Sequence, residues 1–388
     1  MRFDDVAAHE GLKRSLRKLA DEGHLPHALL FSGADGSGAL ALALALAQYI
    51  NCWEPTGGEP CGHCPSCAKY NVLAHPDLFY LFPIVGGDKS CTEDFLPLWR
   101  EYAPRPYLSA TDWLQAIKAG NSRPLIYSRE SDLLDEQLSY RIAEAKYRVL
   151  IIWQPERMHE TLSNKLLKFI EEPPERTLIF MASIEPELLL PTILSRTQRI
   201  ELPLLGEMEI YKALSAKSLE GVSDADCREA AHLSGGLMRK ALDHLQGDKT
   251  REARFVVFLR LLALLNPARP FDMRRLADEL AERSREEQLE LLEAFASYFR
   301  ELYVYPLRLE QISYLNASEK RLAERMAGAV SSKNVRGISA ELDLASLHIR
   351  RNVNSRMVFF DLFLRLAAQL SSGMKQTGVT ASAIENLC

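Results

Sequence analysis

No stretch of this chain stays apolar long enough to cross a membrane. The longest run of small and apolar side chains, Ala39 to Ala47, is about half of the ~20 residues a span requires. Nor is there an excess of positive charge: 47 Lys and Arg stand against 52 Asp and Glu, a formal net charge of -5. A protein that binds nucleic acid through its whole-molecule field needs the opposite balance, so only local basic patches are left for that role. The opening segment, MRFDDVAAHEGLKRSL, carries acidic residues where a secretory signal needs an apolar core, and we expect a cytoplasmic protein with no membrane partner. Cysteine is scarce, seven residues in 388, which excludes a disulfide scaffold. Four of the seven crowd between Cys52 and Cys67, whereas Cys91, Cys227 and Cys388 are scattered. In a reducing compartment that clustering points to a metal.

What is present is the composition of a globular protein, 47% hydrophobic and 26% charged, in a chain long enough for two or three domains. Leu12, Leu16 and Leu19 recur at helical spacing ahead of Gly23. HALLFSG (27–33) then reads as a buried strand entering a glycine-rich turn. The segment 39–50 alternates Ala and Leu with period two; because both are strong helix formers and no β-branched residue precedes Ile50, we expect a helix. RVLIIW (148–153) is a second buried strand. A helix follows with Met158, Leu162, Leu166, Leu167 and Ile170 on one face, ended by Pro173 and Pro174. TLIFMAS (177–183) and QRIELP (198–203) complete the strands. Strands alternating with helices imply a parallel sheet covered on both faces.

Past Leu204 no strand pattern returns. Short helical segments, with LSGGLMRKALDHL (233–245) the clearest, lead through the polar stretch 246–253 into amphipathic helices expected at 254–265, 273–304, 317–330 and 338–371. Three domains are expected: α/β over 1–204, a small helical lid over 205–247 and a helical domain over 248–388. Residues 86–125, rich in proline and aromatics (Trp99, Tyr102, Tyr107, Trp113), read as an insertion in the first of these, with no function assigned.

A phosphate-binding loop has the pattern G-x-x-x-x-G-K-[ST] between strand and helix. GADGSGAL keeps the frame through Gly33, Gly36 and Gly38 but has Ala39 and Leu40 where a lysine should neutralise phosphate and a hydroxyl should hold Mg²⁺. Charge-assisted hydrogen bonds contribute roughly 1.5–3 kcal/mol each, so losing both groups weakens ATP binding at least about a hundredfold. At this point a degenerate phosphate loop and an ordinary glycine-rich turn fit equally. The second strand decides for the former, because its end fails in the same manner: Trp153 and Gln154 occupy the positions where a nucleotide hydrolase places acids. Glu156 is close by, but an isolated acid opening a helix reads as a dipole partner. We expect ATP to be bound weakly or not at all by this chain.

LPHALLFSGADGSG (25–38), the cysteine cluster, SNKLLKFIEEPPERT (163–177) and LLPTILSRTQ (189–198) together resemble the bacterial clamp-loader subunits of DNA polymerase III, of the delta-prime type rather than the tau/gamma ATPase. The motifs cover residues 1–245; beyond them the likeness is helical character, with Asn352 and Asn354 ahead of an apolar helix. The resemblance implies an AAA+ P-loop-type parallel sheet domain with a zinc module, a helical lid and an all-α C-terminal collar. It further implies a hetero-pentameric ring with tau/gamma and delta subunits that places a sliding clamp on primed DNA, and association with a DNA-directed DNA polymerase holoenzyme. A subunit of this type lacks ATPase activity of its own and supplies an arginine to the site next door. The family's Ser-Arg-Cys motif appears here as Ser195-Arg196-Thr197, so the arginine is present and the cysteine is not. Arg239, in GGLMRKAL, matches the lid arginine that faces the terminal phosphate. E-E-P-P at 171–174 is characteristic of the family, but its physics is a helix end and no chemistry is assigned to it.

Cys52, Cys61, Cys64 and Cys67 supply four thiols, the number a structural Zn²⁺ takes. WEPTGGEPC between the first two is rich in turn formers and able to close the loop; His63 is a bystander. With Lys69 the only cation close to CGHCPSCAKY, the site reads as a structural staple rather than a DNA-binding finger. Two rival functions remain: an AAA+ ATPase using Glu156 and another lysine at an unorthodox site, and a zinc-stabilised DNA-binding module of a repair complex.

Overall fold

The computed structural model describes residues 1–377 other than 88–89, 121, 217–221, 248 and 266–268. Cys388 and the end of the expected third domain lie outside the described residues. The chain divides into two compact units, Met1–Leu242 and Asp243–Cys388.

The first unit is built on a five-stranded parallel sheet: β1 (Ala28–Ser32), β2 (Leu78–Leu81), β3 (Arg148–Trp153), β4 (Thr177–Ser183) and β5 (Gln198–Glu201), in the order β2-β3-β4-β1-β5. β1 pairs with β4 from Ala28 opposite Ile179 to Ser32 opposite Ser183, and with β5 on its other side. Every residue of β1, β3 and β4 is buried. That is why these strands read as unbroken apolar runs: a parallel sheet hides both faces. Leu29, Phe31, Val149, Ile151 and Phe180 pack on one side with the helix Ala39–Ile50. Leu30, Leu150, Ile152, Ile179 and Met181 pack on the other with Leu162, Leu166 and Ile170 of the helix Glu160–Glu171. Helix Ala39–Ile50 is buried from Leu40 to Ile50, so the Ala/Leu alternation needed no polar face.

Two differences from the sequence reading concern this sheet. The edge strand β2 was not anticipated; it pairs Leu78 with Val149 and Leu81 with Ile152. Met158 precedes the helix it was assigned to, lying in extended backbone bridged to Ile126.

The described part of the insertion forms the helices Leu96–Tyr102 and Ala110–Ala116. Trp99 and Trp113 on these helices are fully buried. Trp99 stacks on Phe82 at 4.1 Å between ring centroids, Trp113 meets Trp99 edge-on at 5.3 Å, and Trp153 lies 5.5 Å from Trp99. An aromatic anchor at the end of β3 is therefore part of the packing that holds the insertion on the sheet, and a carboxylate there would be buried among rings.

In the second unit the described residues are helical or irregular, around a core that includes Phe258, Leu291, Phe295, Phe299, Phe359 and Phe363. The segment read as one helix over 273–304 is two, Pro270–Ala281 and Arg285–Val304. Ser284 caps the second: its Oγ accepts from Glu287 N–H, and Glu287 accepts from Ser284 N–H at 2.9 Å. The segment 338–371 likewise contains a break between Val335–Arg350 and Ser355–Thr377. Asn352 takes the left-handed φ of 63° that ends the first, and Asn354 Oδ1 accepts from Arg356 N–H to start the second. No helix among the described residues is long and apolar enough to cross a membrane.

Candidate functional site

The glycine loop connects β1 to the helix Ala39–Ile50. Gly36 and Gly38 take φ of 71° and 96°, the left-handed region that glycine enters at low cost. The shape of a phosphate loop is present, and its space is not. The cavity between the loop, Pro106, Leu108, Trp153 and Ala182–Ile184 is about 20 Å³, on the scale of one water, whereas small-ligand sites occupy roughly 300–1,000 Å³. The covering residues come from the insertion and from the helix Met238–Leu245. Asp35 accepts the Ala110 N–H with both carboxylate oxygens, at 2.9 and 3.0 Å. A Cβ added to Gly36 would meet Arg239 Cβ at 2.8 Å. The Arg239 guanidinium donates from both Nη1 and Nη2 to the two oxygens of Asp112, the second at 3.0 Å. Burial would raise the Asp112 carboxyl, but the hydrogen bonds from Arg239 and Ser109 outweigh it and hold the group below its ordinary value.

The acid positions are equally committed to structure. Trp153 belongs to the aromatic cluster, and Gln154 is buried with φ of 54°, its N–H donating to Ala182 C=O. Glu156 accepts from Ser183 Oγ at 2.8 Å and from the N–H groups of Ile184 and Glu185. It lines a different cavity, of about 270 Å³, with Met158, Leu188 and Ile193.

The four cysteines are brought together as the spacing predicts: their sulfurs all lie within 4.8 Å of one another. A tetrahedral ion with ~2.3 Å bonds to sulfur needs edges of about 3.8 Å, and Cys61 and Cys67 are already 3.9 Å apart. Backbone N–H groups of Cys61, Cys64 and Cys67 donate to the sulfurs of Cys52, Cys61 and Cys64. Burial pushes the Cys67 thiol up to about 12, while at Cys61 the N–H donors of Cys64 and His63 overcome desolvation and draw the thiol down to about 6. The set fits a divalent soft cation, which all four would hold as thiolates. Its surroundings are structural: Glu59, inside the loop, accepts from Phe3 N–H at 2.9 Å and Arg17 Nη2 at 2.6 Å, and His63 Nδ1 meets Cys61 C=O. Lys69 is paired with Glu144 at 2.5 Å.

Arg196 follows the short helix Pro191–Leu194 and is half-exposed beside the start of β5. Its Nε lies 2.7 Å from Glu171 Oε1, and its Nη1 donates to Thr192 C=O. Glu171, the first residue of E-E-P-P, is thus the partner of Arg196, a contact the sequence reading did not foresee because the proline pair explained only the helix end. The contacts of Asp35 and Asp112 were missed too: Asp35 fills a variable position of the loop pattern, Asp112 stands in no motif, and their partners are far along the chain.

A family model for DNA polymerase III, delta subunit, matches residues 8–205. DNA polymerase III subunit delta' of Escherichia coli is 31% identical over 232 residues, covering 59% of this chain and 57% of its own length. Subunit delta' of Bacillus subtilis is 28% identical over 235 residues, 60% of this chain and 58% of its own. Subunit gamma/tau of Mycobacterium tuberculosis is 29% identical over 268 residues, 68% of this chain and 40% of its own. The chain therefore spans from two-fifths to under three-fifths of these relatives' lengths.

Proposed function

Because the chain belongs to the DNA polymerase III, delta subunit, family, we propose that it is a delta-prime-type clamp-loader subunit that handles no nucleotide itself and acts on ATP held by a neighbour. The observation that carries this reading is the glycine loop: it has Ala39 and Leu40 at its chemical positions and a cavity of about 20 Å³ above it. Arg196 is the residue that reaches outward. A planar guanidinium delivered to a neighbouring subunit's site stabilises the charge that develops on a transferred phosphoryl group, an effect of about 10³–10⁵ in rate where it has been measured. It is half-exposed and held by an ion pair with Glu171, which supports this reading. The four cysteines, close enough to share one ion, hold a structural zinc, and the helical region 248–388 joins the ring. Tau/gamma and delta subunits are the partners; the sliding clamp and primed DNA are reached through the assembled complex in the cytoplasm.

The rival ATPase reading finds Glu156 already engaged by three donors and facing another cavity. The DNA-binding finger reading finds Lys69 neutralised by Glu144. Calorimetry of the full chain with MgATP, together with reconstitution with the partner subunits, tests the proposal. The expected result is no heat of ATP binding and stable incorporation into a complex that loads the clamp. Tight MgATP binding by the isolated chain would overturn it.

A further inference from the structure

The insertion, to which the sequence assigns no function, covers the glycine loop, whose positive-φ turn is shaped to receive an anion. Gly36 and Gly38 open that loop toward the N-terminus of a twelve-residue helix, with no cation of its own to hold a phosphate. Three independent contacts close it. Asp35, within the loop, grips the Ala110 N–H with both oxygens. Tyr107 stands against Gly38, where an added Cβ would lie 3.4 Å from its ring, and its hydroxyl accepts the Ala7 N–H at 2.6 Å. Arg239, whose Cβ abuts Gly36, spends its guanidinium on Asp112 in a two-to-two arrangement. Asp112 is oriented for this by Ser109, which donates to it from both N–H and Oγ at 3.1 and 2.8 Å.

From this juxtaposition we propose that residues 106–112 are a built-in occupant of the degenerate nucleotide site, with the Asp112 carboxylate serving as the anion that holds Arg239 and the helix Met238–Leu245 on the loop. A free nucleotide supplies such an anion only while bound. A tethered carboxylate supplies it continuously, at an effective concentration set by the fold. The helix carrying Arg239 is then docked whether or not nucleotide is present, and restoring lysine at position 39 alone would not reopen the site. The proposal goes beyond the ring function: it concerns the isolated chain and stands whatever Arg196 does.

Amide hydrogen exchange on the full chain tests it, read at residues 33–38 and 238–242. The variants are Asp112→Asn, Arg239→Gln and the two combined. Breaking a charged pair of this kind is expected to speed exchange in both segments by roughly tenfold or more. The double variant is expected to exchange no faster than the faster single one, because both remove the same contact. Ser109→Ala, which removes one of the two donors that orient Asp112, is expected to speed exchange at 238–242 by less than Asp112→Asn does. Protection at 33–38 that survives either single change, or effects that simply add, would overturn the proposal.

Discussion

Replacing Cys67 by serine is expected to release zinc and to lower the unfolding temperature of the first unit by a calculable amount. Cys67 is fully buried, its sulfur 3.9 Å from that of Cys61, and it is the last of the four candidate ligands, of which Cys52 is the first. A bound ion therefore closes the segment from 52 to 67 into a loop. Cross-linking a loop of that length removes about 3 kcal/mol of unfolded-chain entropy. In a domain of 150–250 residues, 1 kcal/mol moves the midpoint by about 2–4 °C, which gives a fall of roughly 6–12 °C. The assay is metal analysis by plasma mass spectrometry alongside thermal unfolding, on wild type, wild type with chelator, and Cys67→Ser. Wild type is expected to carry one zinc per chain, and chelation is expected to bring its midpoint down to that of the variant. Wild-type protein purified without zinc, or a variant that melts within roughly 2 °C of it, the scale of a sub-kcal/mol change, would refute the reasoning.

Asp77, buried at the start of β2, accepts the N–H groups of Ala143, Glu144 and Ala145 at 2.7, 2.9 and 2.8 Å. Asp77→Ala is expected to cost about 3 kcal/mol or more in urea unfolding, at ~1 kcal/mol for each orphaned donor. Burial raises this carboxyl but the three donors outweigh it, so its folded value lies below the ordinary one. Its stabilisation is accordingly complete above about pH 3.9 and is lost as pH falls through the lower folded value, so the gap between wild type and variant should close in acid. Asn352 holds a left-handed φ between two helices of the second unit; Asn352→Val should cost about 1–2 kcal/mol and Asn352→Gly far less, measured by the same unfolding curves. A valine variant as stable as the glycine one would contradict that local account.

The parts of the fold legible in the sequence were those written in single uninterrupted patterns. β1, β3 and β4 are buried on both faces, so each shows as an apolar run, and the Ala/Leu helix is buried all round, so its composition identified it. β2 is four residues between Pro76 and Pro83, too short to stand out, though LFYLFPIV marked an apolar stretch. The helices of the second unit were legible as helical, and their breaks were not, because the amphipathic pattern continues across them. The signals were the Ser284–Glu287 capping pair and Asn352, which periodicity does not weigh. At the site, the cysteine spacing predicted the sulfur cluster because all its ligands are local. The burial of the glycine loop under Pro106 and Leu108, and the meetings of Arg239 with Asp112 and of Arg196 with Glu171, join residues far apart in the chain. Only the tertiary fold brings those side chains together.

Whether this chain lends Arg196 to a nucleotide held by a neighbour is decided by Arg196→Ala in a reconstituted complex. The side chain is half-exposed and makes one ion pair, a contact worth about 0–1 kcal/mol, so the variant chain should fold and assemble as wild type does. The measurement is the steady-state ATPase rate of the assembled ring with clamp and primed DNA present. Hydrolysis at the adjoining site is expected to fall by about 10³-fold or more, reducing the ring's rate by that site's share, with assembly unchanged. An Arg196→Ala complex that assembles and keeps the full stimulated rate would contradict that role.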